Sequence, residues 1–302
     1  MITLNSEQGL IDIESWEDVI SRPGYVTDLD PSKHTLDSII GRYVEKDMVK
    51  CGLTNCHSPH AKGYIVKTKE GLSTNIGKDC GKNYFGVDFE TMAKQFERDL
   101  TMKNNKERLA TFSFQLEELE QSLDNLRQGK GGADWVYKKS RPLITANNGC
   151  PDEVVRRLIS MIKASTSILT LAREATPQEI AVLEVAQGRK IQQPHVIEDR
   201  ISEILGLQVL YPENDLRNLL IIDIETNLID FKLKNIDILD FKELAYWCKW
   251  FDALENKIAN ATATVKSGVE LLTSTNLEPL NAILNERNDK VLFRTYLKSL
   301  EN

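Results

Sequence analysis

A mainly α-helical chain with a small α+β module near its N-terminus is the fold class that the sequence predicts. Three observations predict it. Cysteine and histidine residues gather between Cys51 and Cys80 around a hairpin-like stretch; Leu109, Phe112, Leu116, Leu119, Leu123 and Leu126 alternate at spacings of three and four; and Leu244, Trp247, Phe251, Leu254, Ile258, Ala261, Val265 and Leu272 follow the same alternation, with Gly268 at the one weak place. The last two patterns are heptad seams of the coiled-coil type. They divide the chain into an α+β module over 1–87, a long helix with its connector over 88–150, and a helical interaction domain over 151–302.

In chain order, residues 1–48 mix short apolar stretches with turn signals such as Arg22-Pro23-Gly24 and Asp30-Pro31-Ser32. Ser32 is positioned to cap a short helix bearing Leu36, Ile39 and Ile40 on one face. Residues 63–68 and 72–74 read as a hairpin that turns at Lys69-Glu70-Gly71. Gly129-Lys130-Gly131-Gly132 ends the first seam helix, and a further helix begins near Asp152 with Val155, Leu158, Ile159 and Ile162 on one face. Thr176-Pro177-Gln178-Glu179 is a helix start: Thr caps, Pro fits the first turn and Glu occupies the capping-box position.

Composition bounds the function. An apolar content of 41% suffices for packed cores, and no apolar run approaches the ~18 residues of a membrane span. The opening residues carry acids and no basic n-region before an apolar run, so a cytoplasmic location is expected. There thiols stay reduced, and clustered cysteines point to metal rather than disulfides. Cys150 and Cys248 stand apart and read as small apolar residues. The net charge of −7 disfavours indiscriminate coating of nucleic acid, although residues 42–106 hold an excess of Lys and Arg while 198–243 are acidic.

Zinc at a structural site takes four Cys or His ligands in a tetrahedron. Cys51 and Cys56 lie on one tight turn with His57 and His60, and Cys80 lies beyond the hairpin at a glycine-flanked helix start. The reading is one structural Zn²⁺ on Cys51, Cys56, His60 and Cys80, with His57 as the alternative to His60. Pro59 and the three residues between Cys56 and His60 favour the latter, because they let the chain turn back to the metal.

This order of cysteine turn, hairpin and cysteine opening a helix resembles treble-clef-type zinc modules. The run CGLTNCHSPHAKGYIVKTKEGLSTNIGKDCGKNYFG, behind LNSEQG and ESWEDV, is similar to phage- and prophage-encoded proteins of unassigned function over roughly the first hundred residues. In size and helical build alone, the chain is similar to phage inhibitors of bacterial immunity, the Gabija anti-defence type among them. The resemblance implies the ligand positions, a phage-type origin and a bacterial host cytoplasm as the site of action.

Other constellations lack parts. Leu219-Leu220-Ile221-Ile222-Asp223-Ile224-Glu225-Thr226 resembles the first motif of DnaQ-like exonucleases, but no His follows it to activate water; a buried strand or helix with its acids in solvent explains it better. The zinc deaminase pattern of His-x-Glu with a later Cys-x-x-Cys is missing. The expected function is therefore non-enzymatic: a zinc-bearing interaction protein that binds a protein partner, such as a bacterial DNA-handling defence complex. Tyr246, Trp250, Phe251 and Ile258 are its candidate anchors. A homo-oligomer is expected because the second seam outruns the first and leaves an apolar stripe. The second reading is nucleic-acid binding by a basic face made of Lys62, Lys67, Lys69, Lys78 and Lys82.

Overall fold

A computed structural model of the chain describes residues 1–6 and 9–301. They form two compact units, one of Met1–Thr111 with Asn235–Cys248, the other of Phe112–Lys234 with Lys249–Asn302. The boundary read at residue 87 coincides with a kink at Gly86 (φ 62°) inside a helix, not with the edge of a unit.

The first unit is built on five strands: β1 (Ile2–Ser6), β2 (Gly9–Ile13), β3 (Leu36–Lys50), β4 (Pro59–Thr68) and β5 (Ser73–Gly77). They pair antiparallel in the order β2-β1-β3-β4-β5. A short helix, α1 (Trp16–Ile20), is capped by Ser15. Another, α2 (Lys78–Ser113), follows β5 directly. Strand pleating sends alternate side chains to opposite faces, and here both faces are covered. Tyr64 and Val66 of β4 pack with Ile76, Phe89, Ala93 and Phe96. Ile65 turns the other way, into a cluster with Ile2, Leu4, Tyr43 and Val19. Trp16 meets Tyr43 there edge to face, at 5.0 Å. This double burial makes Gly63-Tyr64-Ile65-Val66 a continuous buried run.

The hairpin turning at residues 69–71 is present as β4 and β5. The expected helix over residues 36–40 is not: those residues open β3, and Ser32 instead bonds to Asp30 Oδ1 in a turn. The cause is local. Register shifts lie between Leu36 and Ser38 and between Ile39 and Gly41. Such bulges break the period of two, and the apolar spacing then imitates a helix.

The second unit is mainly helical. It contains α3 (Leu116–Arg127), α4 (Ala133–Ile144), α5 (Asp152–Lys163), α6 (Pro177–Gln187) and α7 (Thr226–Lys232). The long α8 (Phe241–Leu271) is followed by α9 (Ser274–Leu277) and α10 (Arg287–Glu301). Helix α5 starts where the sequence placed it. The capping box at α6 is also formed: Thr176 Oγ1 accepts from the Glu179 amide, and Glu179 Oε2 accepts from the Thr176 amide at 2.8 Å. Two strands not read from the sequence, β6 (Ile168–Glu174) and β7 (Val196–Glu203), pair antiparallel on either side of α6. The first seam is not one helix, because a turn at Phe114 and Gln115 separates α2 from α3.

The second seam lies on α8 or just past its end, and most of it is buried in the chain's own cores: Leu244, Trp247, Phe251, Leu254, Ala261, Val265 and Leu272. Phe251 stacks on Phe112 at 4.5 Å with planes 9° apart. The expectation of a homo-oligomer rested on a long uncovered stripe, and this burial removes that ground. Among the described residues, no helix is long and apolar enough to cross a membrane.

Gly63 tests the sheet. A Cβ there would stand 2.3 Å from the Ile76 carbonyl oxygen and 2.4 Å from Tyr43 Oη. Gly63→Ala should therefore cost about 1–3 kcal/mol through overpacking, read as a lower denaturation midpoint; an unchanged midpoint would contradict the tight β3–β4–β5 packing.

Candidate metal centre

The turn that carries the first cysteines begins where β3 ends. The Cys51 amide donates to the Ser58 carbonyl at 3.0 Å and the Cys56 amide to the Leu53 carbonyl at 3.0 Å, which closes residues 51–58 into a compact loop. His57, with φ 49°, turns the chain back toward β4. The loop is fastened to β5. The Gly52 amide donates to the Asn75 carbonyl at 2.8 Å, and the Asn75 side-chain amide donates to the Lys50 carbonyl at 2.7 Å. Asn75 Oδ1 in turn accepts from the Tyr25 hydroxyl at 2.7 Å. Gly52 is needed for so close an approach, since a Cβ there would stand 1.9 Å from Thr74 Oγ1.

Cys80 reaches the loop from the first turn of α2, three residues after β5 ends at Gly77. Behind it Gly81 lies against the Phe89 ring, 2.3 Å from where a Cβ would be. Tyr84 Oη donates to the Asn55 carbonyl at 3.0 Å, so α2 also holds the far side of the loop.

These constraints bring Cys51, Cys56 and Cys80 together, with all three sulfurs within 4.8 Å of one another. Cys56 and Cys80 lie 3.2 Å apart, Sγ to Sγ. Thiolates around a tetrahedral zinc stand about 3.8 Å apart, given Zn–S bonds of ~2.3 Å, so the cluster has the dimensions of a metal-holding face. Soft sulfur donors in this arrangement suit zinc or another thiophilic metal.

Neither histidine belongs to the same 4.8 Å group, and the two are placed very differently. His57 is committed elsewhere, with Nδ1 3.2 Å from the Cys51 carbonyl and Nε2 3.2 Å from Asp28 Oδ1. His60 lies on β4 with Nε2 buried and without a hydrogen-bond partner. Its ring packs on Gly77, 2.9 Å from where a Cβ would be. Burial lowers its pKa and favours the neutral, ligating form. A buried ring nitrogen with no partner is costly unless something fills the gap.

The thiols are unequal. Burial opposes ionisation of Cys56, but the hydroxyl and amide of Ser58 and the neighbouring thiols outweigh it and bring Cys56 down to about 7. Burial, then Cys56 and Cys51, pushes Cys80 up to about 12. Burial also raises Cys51, although the Leu53 and Gly77 amides point at its sulfur and oppose the rise. Cys150 and Cys248 are buried far from the cluster in sequence; burial pushes Cys150 up to about 12, in keeping with an inert thiol.

The other sequence candidates fall in separate places. Trp250 and Phe251 are buried, and their rings meet edge to face at 5.0 Å, so they are interior groups rather than exposed anchors. Tyr246 is 55% exposed and Ile258 half-buried. Asp223 and Glu225 do not end a strand: they lie on a π-helical stretch, Arg217–Glu225. Nor are both acids simply in solvent. Arg127 clasps Glu225 with bonds of 2.8 and 2.9 Å, and Lys257 stands 3.4 Å from Asp223. The basic face is also corrected, because Lys62 and Lys67 sit five residues apart on β4 and leave from opposite faces, while Lys82 pairs with Glu90 at 3.1 Å.

No protein-family model, curated protein or solved structure matches this chain.

Two outcomes follow. Serine in place of Cys51, Cys56 or Cys80 should abolish stoichiometric metal binding, measured by elemental analysis of protein purified without chelator; full retention in any of the three would exclude that residue. Because metal binding must displace protons from Cys51 and Cys80, apparent affinity should climb by at least about a hundredfold from pH 6 to pH 8. Competition with a chromogenic chelator reads it, and a flat profile would mean the thiols do not ligate.

Proposed function

We propose that this chain binds one structural zinc ion through Cys51, Cys56, Cys80 and His60, and that it acts as a non-enzymatic interaction protein. The observation that carries the metal half is the convergence of the three sulfurs from two separate elements. What supports zinc is the sulfur-rich donor set. What supports His60 over His57 is its buried Nε2 without a partner, beside Gly77, where His57 has both nitrogens engaged. A structural role is favoured because a catalytic zinc keeps an open position beside a base. Among the described residues, no carboxylate joins the three sulfurs.

The interaction role rests on the helical part of the chain, where Tyr246 is exposed and Ile258 half-exposed on α8, and on the phage-type sequence resemblance of the first hundred residues. A net charge of −7 suits a basic partner. A bacterial DNA-handling defence complex has that character, and the acidic chain would compete for its DNA groove.

Cobalt substitution tests the metal half. His60→Ala should weaken Co²⁺ binding beyond the 10–100-fold typical of losing an outer-shell partner and change the visible absorption band, whereas His57→Ala should leave the band in place. The reverse pattern would make His57 the ligand. For the interaction half, a stoichiometric complex should reconstitute from the purified chain and a purified defence complex identified by copurification from a bacterial host. A chain that stays alone in such mixtures while itself degrading nucleic acid would contradict the reading.

A further inference from the structure

The helical unit contains an open apolar groove of about 560 Å³ between the end of α2 with α3 and the middle of α8. Phe112, Leu116 and Leu119 form one wall, and Phe251, Leu254 and Ile258 the other. The rings of Phe112 and Phe251 stack on one another across the two walls. Three carboxylates, Glu118, Asp252 and Glu255, also line it and are exposed, while no Lys or Arg does.

Each wall places apolar residues at spacings of three and four, the pattern into which the ridge of another helix fits. The stretch from Phe251 to Ile258 rises about 10 Å at 1.5 Å per residue, so it accommodates two turns of a docked helix. A small-molecule site would need a few convergent polar groups to orient its ligand; here the five polar lining residues, Gln115, Glu118, Ser122, Asp252 and Glu255, are all exposed, and those that carry charge are all acidic. Apolar walls and exposed acidic lining together specify an occupant with an apolar stripe flanked by cations.

We propose that this groove docks a basic amphipathic helix of a protein partner, whose apolar side chains enter between α3 and α8 while Lys or Arg residues meet Glu118 and Glu255. The inference supplies partner chemistry to the interaction role proposed above and rests on that role, not on the metal. Helix-in-groove recognition of this kind gains affinity from the apolar face and selects sign through the rim.

The test uses the full chain, zinc-loaded, and a fluorescein-labelled Leu/Lys amphipathic helix of roughly 16 residues, about four turns. Fluorescence anisotropy should show saturable binding that Glu118→Lys with Glu255→Lys weakens at least tenfold. Glu14→Lys with Glu213→Lys, an equal change in net charge at exposed sites elsewhere, should leave it within twofold. The same peptide with Glu for Lys should not bind. Ile258→Asp, checked by circular dichroism for retained fold, should abolish binding. Equal weakening by both charge-reversed pairs would reduce the effect to bulk charge and overturn the proposal, as would absence of binding. A dimer that Ile258→Asp dissolves, seen by sedimentation, would overturn it in favour of a second copy as occupant. A reconstituted partner complex that survives Ile258→Asp would sink the groove while leaving the interaction role standing.

Discussion

Two residues, Lys78 and Asp79, separate the end of β5 at Gly77 from Cys80 on α2, and much of the first unit depends on that short junction. The β4–β5 ladder fixes Gly77, and the helix starts at once, so Cys80 has almost no freedom of position. The other two sulfurs have to be brought to it. Gly52 does so by allowing the turn after β3 to press against Thr74, and Asn75 by bonding back to Lys50. The sulfur cluster thus ties a central strand, an edge strand and the helix whose Phe89, Ala93 and Phe96 cover one face of the sheet. Each hydrogen bond in this scheme contributes only ~0.5–1.5 kcal/mol net. A structural zinc contributes ~10–16 kcal/mol in small modules, as much as the whole stability of an ordinary domain, ~5–15 kcal/mol. One ion would therefore outweigh the polar contacts that position its ligands.

The helical unit is held by other means. Its interior is assembled from large apolar side chains, with aromatic stacking of Phe112 on Phe251 and edge contacts of Phe231 and Trp250 to the same ring. Its half-buried ion pairs orient segments rather than drive folding. Arg127 joins α3 to the π-helical stretch through Glu225 and also bonds Asp134. A carboxylate pair that might have suggested metal-dependent hydrolysis is accordingly engaged with cations. The groove beside this aromatic core is where burial is incomplete.

The sulfur cluster was legible because its signal is chemical: few residue types hold zinc, and Cys51, Cys56 and Cys80 stand close together around a hairpin. Spacing favoured His60 over His57, and the fold adds a reason that no spacing carries: His60 Nε2 is buried without a partner, whereas both His57 nitrogens are engaged. The β4–β5 hairpin and the α6 cap were legible from turn and capping residues. Strand β3 was hidden by its own bulges. Strands β6 and β7 pair across an intervening helix, beyond the reach of local pattern. The seam on α8 marked a buried face correctly, but periodicity does not say whether the same chain or another covers it. Phe251 and Trp250 turned inward for that reason, while Ile258 stayed half-open.

X-ray absorption at the zinc edge, on the full chain purified without chelator, tests the central claim most directly. The account predicts one zinc per chain with three sulfurs at about 2.3 Å and one nitrogen at about 2.0–2.1 Å. A folded chain with no stoichiometric metal, or an ion surrounded by oxygen and nitrogen alone, would contradict it.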